Sequence, residues 1–199
     1  MKYLLLFTCF STVSVFGQFS TSILDFNNVS THLTDGGLLF NNAVSNNPGY
    51  EIPKGSGNHA IYNSAFWFGG ADVNGQIHLS GTLFDGGADL FPGPIADPTM
   101  YTSSDYASQY QNSIWTVIQD DIDDHILNWN QSGYTVPASI ASWPGNGDAA
   151  LGVADQLAPY VDLNNNAIYE PELGEYPEIR GDQASYIIMN DARQIHTGS

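Results

Sequence analysis

The chain has 199 residues, 42 % of them hydrophobic and 13 % aromatic, enough apolar surface for one packed domain or part of a larger one. Only 13 % are charged, about half the usual share, and 21 acids against 4 Lys plus Arg leave a net charge of −17. This balance excludes the basic footprint of nucleic-acid binding and a polybasic patch for anionic lipid. The 4 Trp, 11 Tyr and 10 Phe argue against disorder.

Lys2 precedes an apolar run over residues 3–16, broken only by Thr and Ser, and Val15-Phe16-Gly17 offers a tolerable cleavage site. A positive start, a short apolar stretch and a small-residue exit predict a signal peptide over residues 1–17, cut before Gln18. The alternative is a buried N-terminal strand or helix. Cleavage removes Cys9, the only cysteine, so thiol catalysis, disulfides and Cys-based zinc binding drop out. No second apolar stretch approaches membrane-spanning length, so no membrane span is expected after cleavage. Residues 18–199 then form the secreted module. His196-Thr197-Gly198-Ser199 neither caps a helix nor forms a tail, and the chain is expected to continue beyond 199 as part of something longer.

In chain order, 17 Asn, 20 Gly and 10 Pro punctuate short runs of β-forming residues. Thr34-Asp35-Gly36-Gly37 between apolar runs predicts a hairpin. A second hairpin is predicted, with one strand over residues 65–72, a turn at Val73-Asn74-Gly75 and a return strand over residues 76–84. Its period-two alternation assigns Ile77, Leu79, Gly81 and Leu83 to one buried face and Gln76, His78, Ser80 and Thr82 to a wet one. Residues 85–110 read as a long structured loop, with Phe91-Pro92-Gly93-Pro94 barred from a central strand. Ile114, Trp115, Ile118, Ile122, Ile126 and Trp129 line one face of the single amphipathic helix expected. Asn112 or Ser113 would cap it and Gly133 would end it. Loops follow over residues 137–155 and 162–182, then a strand over 185–189. The fold class expected is mainly β, with β-sandwich-like antiparallel sheets, one amphipathic helix and long loops.

The strongest site pattern is Asp162-Leu163-Asn164-Asn165-Asn166-Ala167-Ile168-Tyr169-Glu170-Pro171-Glu172. Oxygen side chains at positions one, three, five and nine, with a backbone carbonyl at seven, follow the spacing of a calcium loop. Asp162, Asn164, Asn166 and Glu170 would bind Ca2+ by side chain and Ile168 by its carbonyl. Position six holds Ala167 rather than Gly and position twelve Leu173 rather than Glu, so Glu172 or Glu175 must complete the set. The alternative is an Asn-rich turn held by side-chain-to-backbone hydrogen bonds.

Other patterns favour plain structure. Asp72-Val73-Asn74-Gly75 resembles the start of a calcium loop but reads as a hairpin turn, and Asp120, Asp121, Asp124 and His125, which offer an i, i+4 metal pair in Asp121 and His125, read as a solvated acidic helix face. Pro53-Lys54-Gly55-Ser56-Gly57 lacks the order of a phosphate loop and reads as a flexible turn. Tyr101, Tyr106, Tyr110, Trp143 and Tyr169 either stack on sugar rings or, as the favoured reading, pin long loops to the sheet. Gly-x-Ser-x-Gly and His-Glu-x-x-His are missing, whereas carboxylate pairs for glycoside hydrolysis remain open.

One ordered set of segments is distinctive. It runs Asn27-Asn28-Val29, Gly37-Leu38-Leu39-Phe40, Tyr50-Glu51-Ile52-Pro53-Lys54-Gly55-Ser56-Gly57, Trp67-Phe68-Gly69-Gly70-Ala71-Asp72, Phe91-Pro92-Gly93-Pro94 and Trp143-Pro144. It closes with the stretch from Leu157-Ala158-Pro159-Tyr160-Val161-Asp162 through Tyr176-Pro177-Glu178-Ile179-Arg180-Gly181-Asp182-Gln183. The set resembles the N-terminal region of large secreted Bacteroidetes proteins that use the type IX secretion system. The resemblance implies a destination at the cell surface or in the medium, and no chemistry. Its members commonly carry Gly at the position of Ala167 and Asp at that of Glu170, so the loop here is less regular than theirs.

The function expected is a non-enzymatic, secreted or cell-surface structural or adhesion module with a calcium-stabilised Asp/Asn loop, meeting a cell-surface protein or glycan. The alternative is a glycan-binding or glycan-hydrolysing region, and a third reading is an inert spacer.

Overall fold

The computed structural model describes residues 19–42, 45–83, 88–111 and 114–193. The signal peptide over 1–17, the helix cap at Asn112 or Ser113 and the terminal residues 194–199 lie outside the described residues. Among the described residues the fold is mainly β and every strand pairing is antiparallel. Strands β1 (Thr21–Leu24), β2 (Ser30–Thr34), β3 (Leu38–Leu39), β4 (Asn41–Asn42), β5 (Asn47–Pro48), β6 (Tyr50–Glu51), β7 (His59–Ile61) and β8 (Ser64–Ala65) open the chain. One sheet runs β7-β6-β2-β3-β8, with β1 on β2, and β4-β5 form a separate ribbon. The predicted Asp35-Gly36-Gly37 turn joins β2 to β3, Leu33 opposite Leu39.

Strands β9 (Trp67–Ala71) and β10 (Ile77–Gly81) form the second predicted hairpin. Asp72 Oδ1 accepts the N–H groups of Asn74 and Gln76 at 2.8 and 2.9 Å, and Gly75 takes φ 81°, as a tight turn requires. The face assignment holds for exposed Gln76 and His78 and fails for the rest. Ile77 and Leu79 are 81 % and 56 % exposed, whereas Ser80 and Thr82 are buried. Ser80 donates to Asp191 and Thr82 Oγ1 to the Gly36 carbonyl at 2.7 Å, so the hydroxyl side lies against the body. Alternation reveals that a strand has two faces. It does not reveal which face a neighbouring layer covers.

Strand β11 (Phe91–Pro92) lies in a two-stranded ribbon, where proline is tolerated. The expected loop over residues 85–110 contains helix α1 (Ser104–Tyr110), whose N-cap Ser103 Oγ accepts Tyr106 N–H. The expected amphipathic helix begins late. Trp115–Ile118 is strand β12, and helix α2 covers Gln119–Asn128. The apolar residues of β12 continue the helical spacing by chance. Pairing with the four residues of β15 (Gln183–Tyr186) holds them extended, a tertiary contact that periodicity cannot include. Between them come helix α3 (Ala138–Ala141), β13 (Tyr160–Val161) and β14 (Tyr176–Pro177), and β16 (Met189–Asn190) follows on β11.

Among the described residues both buried apolar clusters are built from residue 96 onward. One cluster joins Ala96, Tyr101, Tyr106, Tyr110, Leu151 and Val153. Another joins Val117, Ile122, Ile140, Trp143, Ala158 and Tyr169. All five aromatics weighed for sugar stacking are therefore interior, and they pin loops. Tyr106 donates to the Pro94 carbonyl at 2.7 Å, Trp143 Nε1 to Pro159 at 3.0 Å and Tyr169 to Ile140 at 2.8 Å. Sugar stacking at these rings is overturned.

Asp35 is fully buried in the β2–β3 turn. Its Oδ1 accepts Ser20 N–H at 2.8 Å, while Oδ2 has no partner among the described residues. Burial pushes the carboxyl up to about 6. The unfolded carboxyl ionises near 3.8, so the folded state loses stability as pH rises from about 4 to 6. Asp35→Asn keeps the Ser20 bond and removes that loss. Denaturant unfolding at pH 7 should show the variant more stable by about 2 kcal/mol, and the difference should vanish below pH 4.

Candidate metal centre

Residues 162–175 form a loop closed at its base by β13 and β14, Val161 opposite Tyr176. The local sequence folds inward because Asp and Asn side chains satisfy nearby backbone N–H groups better than water-exposed turns do. Asp162 Oδ1 accepts from Asn165 N at 2.7 Å and Asn166 N at 3.3 Å, and its Oδ2 accepts from Ala167 N at 2.8 Å. The N–H groups of Ala167, Asn165 and Asn166 together hold the Asp162 carboxyl below the usual carboxylate range. Asn164 Oδ1 accepts Asn166 N–H at 3.0 Å and Asn166 Oδ1 accepts Ile168 N–H at 2.8 Å.

Glu170 returns across the loop. Its Oε2 accepts from Asn164 Nδ2 at 3.1 Å and Asn166 Nδ2 at 2.6 Å. Glu175, fully buried, closes the other side: Oε1 accepts Leu163 N–H at 3.1 Å and Oε2 accepts Glu170 N–H at 2.8 Å. Asp162, Asn164, Asn166, Glu170 and Glu175 are thus joined in one hydrogen-bonded unit. Of the two acids expected to complete the ligand set, Glu175 is the one bonded to the loop, with both oxygens on backbone N–H groups. Glu172 is exposed in the 3-10 turn Pro171–Leu173 and shares no hydrogen bond with the loop. Ile168 enters through its N–H and is half exposed as a side chain.

The donors are all oxygen, which suits a hard cation such as Ca2+. The set depends on amides and a carbonyl: among the described residues, no three His, Cys, Asp or Glu side chains form a metal-holding group. The same bonds also describe the Asn-rich turn, whose side chains all serve backbone N–H groups or Glu170.

Two supports were invisible to spacing. Asn146, 23 residues away, brackets Tyr169, accepting its N–H at 2.7 Å and donating to its carbonyl at 2.9 Å. Gly145 lies so close that a Cβ there would meet Tyr169 Cβ at 2.6 Å. Beneath the loop, buried His125 of α2 places Nε2 3.2 Å from the Glu175 carbonyl and Nδ1 3.2 Å from the Tyr134 hydroxyl. Burial pushes the imidazole below its usual range, so it is neutral at pH 7. His125 therefore leaves the expected acidic face and belongs to the interior, while Asp120, Asp123 and Asp124 stay exposed. Asp121 accepts from Ser139 at 2.6 Å.

Asn165 and Ala167 take φ of 60° and 62°. Asn tolerates the left-handed region, but alanine pays about 1–2 kcal/mol there. Ala167→Gly relieves that strain and should raise stability by about 1 kcal/mol, net of glycine's extra unfolded-state freedom, in a denaturant titration without added metal. Destabilisation would show that Ala167 is not held in this conformation.

No family model, no curated protein and no solved structure matches this chain.

Proposed function

We propose that the chain is a non-enzymatic structural or adhesion module of the cell surface or medium, stiffened by calcium at residues 162–175. The observation that carries this reading is the gathering of Asp162, Asn164, Asn166 and Glu170 around one loop, with the buried carboxylate of Glu175 at its root. Ca2+ would take oxygens of Asp162, Asn164, Asn166 and Glu170, with the Ile168 carbonyl, and Glu175 would hold the loop in place behind them. The ion would neutralise carboxylates in a chain of net charge −17 and fix a segment that offers surface to a partner protein or glycan. Few carboxylates and several amides imply weak affinity, suited to millimolar extracellular calcium. Export is supported by the charged, apolar and small-residue order of residues 1–17 and by the resemblance to type IX secretion cargo. Among the described residues no helix is long and apolar enough to cross a membrane.

The test is a thermal melt in EDTA and in Ca2+. At tenfold excess over Kd, calcium binding to the folded state alone adds about 1.4 kcal/mol, and the melting temperature should rise by several degrees. Asp162→Ala should abolish the rise. A melting temperature unmoved by 10 mM calcium would reduce the loop to an Asn-rich turn.

A further inference from the structure

A cleft of about 350 Å3 lies between the N-terminal sheet and the segment leading into β15, well within the volumes of small-ligand sites. It shares no residue with the Asp162 loop. Its floor is one row of the sheet: Leu24 pairs with Thr31, and Thr31 with Tyr50, so the three side chains share a face. Its lip, Asp25 and Phe26, is held from two directions. Gln183 Oε1 accepts both of their N–H groups at 3.1 Å, and Lys54 Nζ donates to the Asp25 carbonyl. The opposite wall carries Arg180 and Asp182.

The polar groups of this cleft are unspent. Thr31 is 7 % exposed and its hydroxyl has no partner, although a buried hydroxyl ordinarily finds one. Among the described residues, the carboxylates of Asp25 and Asp182, the Arg180 guanidinium and the Tyr50 hydroxyl make no hydrogen bond or ion pair. Opposite charges line one cleft without meeting. A guanidinium, two carboxylates and the Tyr50 hydroxyl held apart on a braced frame bond best to a ligand that supplies both donors and acceptors.

We infer that this cleft binds a neutral pyranose unit of a glycan. Vicinal hydroxyls would donate to Asp25 and Asp182 and accept from Arg180. The Tyr50 hydroxyl would take a hydroxyl at the floor, and the apolar ring face would lie against Phe26, which is 47 % exposed. Arg180 offsets one of the two carboxylates that line the cleft, and Lys54 lies behind the lip on the Asp25 carbonyl. An anionic sugar would meet the field of a −17 chain, and a simple cation would meet Arg180.

The experiment is saturation-transfer NMR on the purified protein with methyl glycosides of glucose, galactose, mannose and N-acetylglucosamine at millimolar concentration. At least one should receive saturation, and a titration should show affinity at least tenfold weaker in both Arg180→Gln and Asp182→Asn. Both positions are exposed, and unchanged melting temperatures would show that the fold survives. No transfer to any of the four glycosides would overturn the inference, as would binding that persists in both variants. A free amino acid that binds in their place would assign the cleft to a zwitterion instead. Calcium-dependent melting bears on neither result, since no residue is common to the two sites.

Discussion

The buried carboxylate of Glu175 is the interaction on which the second half of the molecule turns. Its two oxygens take the N–H groups of Leu163 and Glu170, near the two ends of the loop, and its own carbonyl lies against His125 of α2. A carboxylate that accepts two backbone N–H groups is worth more than neutral hydrogen bonds of the same geometry. Out of water, losing it would strand two donors as well. Gly174, with φ 93°, lets the chain turn into this position, and Trp129 at the end of α2 lies where a side chain at Gly174 would go. One residue thus ties the loop, the helix and the ribbon of β13 and β14 together.

The two halves of the chain solve the burial problem differently. Tyrosines and tryptophans carry the second half because they fill volume and still satisfy a polar tip: Tyr106 and Tyr186 donate to loop carbonyls and Tyr169 to a carbonyl of α3. Long Asn-, Gly- and Pro-rich connections are held from within by these rings. The first half buries Thr31, Thr34, Asp35 and Asn41 beside little more than Leu33 and Leu90, and its β9–β10 hairpin exposes Trp67, Phe68, Ile77 and Leu79. Its order comes from backbone pairing and local turns more than from apolar contact. Its unspent polar groups follow from the same economy.

What the sequence made legible were the features that are local. Asp-Gly-Gly and Asn-Gly marked both hairpins, because each turn needs one positive φ, met by Gly37 and Gly75, and nothing distant competes. The oxygen spacing of Asp162, Asn164, Asn166 and Glu170 drew attention to the loop, because its bonds span eight residues or fewer. That Glu175 rather than Glu172 bonds to the loop was not legible, since it depends on how the chain turns at Gly174 to bring that carboxyl to the N–H groups of Leu163 and Glu170. Trp115 and Ile118 satisfied a helical period and became strand, since their register with Tyr186 and Gln183 lies about 70 residues away. His125 looked like part of an acidic face, and only its packing against Glu175 and Tyr134 explains it. The cleft of Thr31 and Arg180 had no motif at all, because it joins a sheet row to a segment nearly 150 residues later.

The most direct measurement is amide hydrogen exchange by NMR on the metal-free protein, read at Leu163, Asn165, Ala167 and Glu170. The account requires protection at all four, with Leu163 and Glu170 losing it selectively in Glu175→Gln. Free exchange at these amides in the unaltered protein would contradict it, because the loop would then have no internal order for calcium to fix.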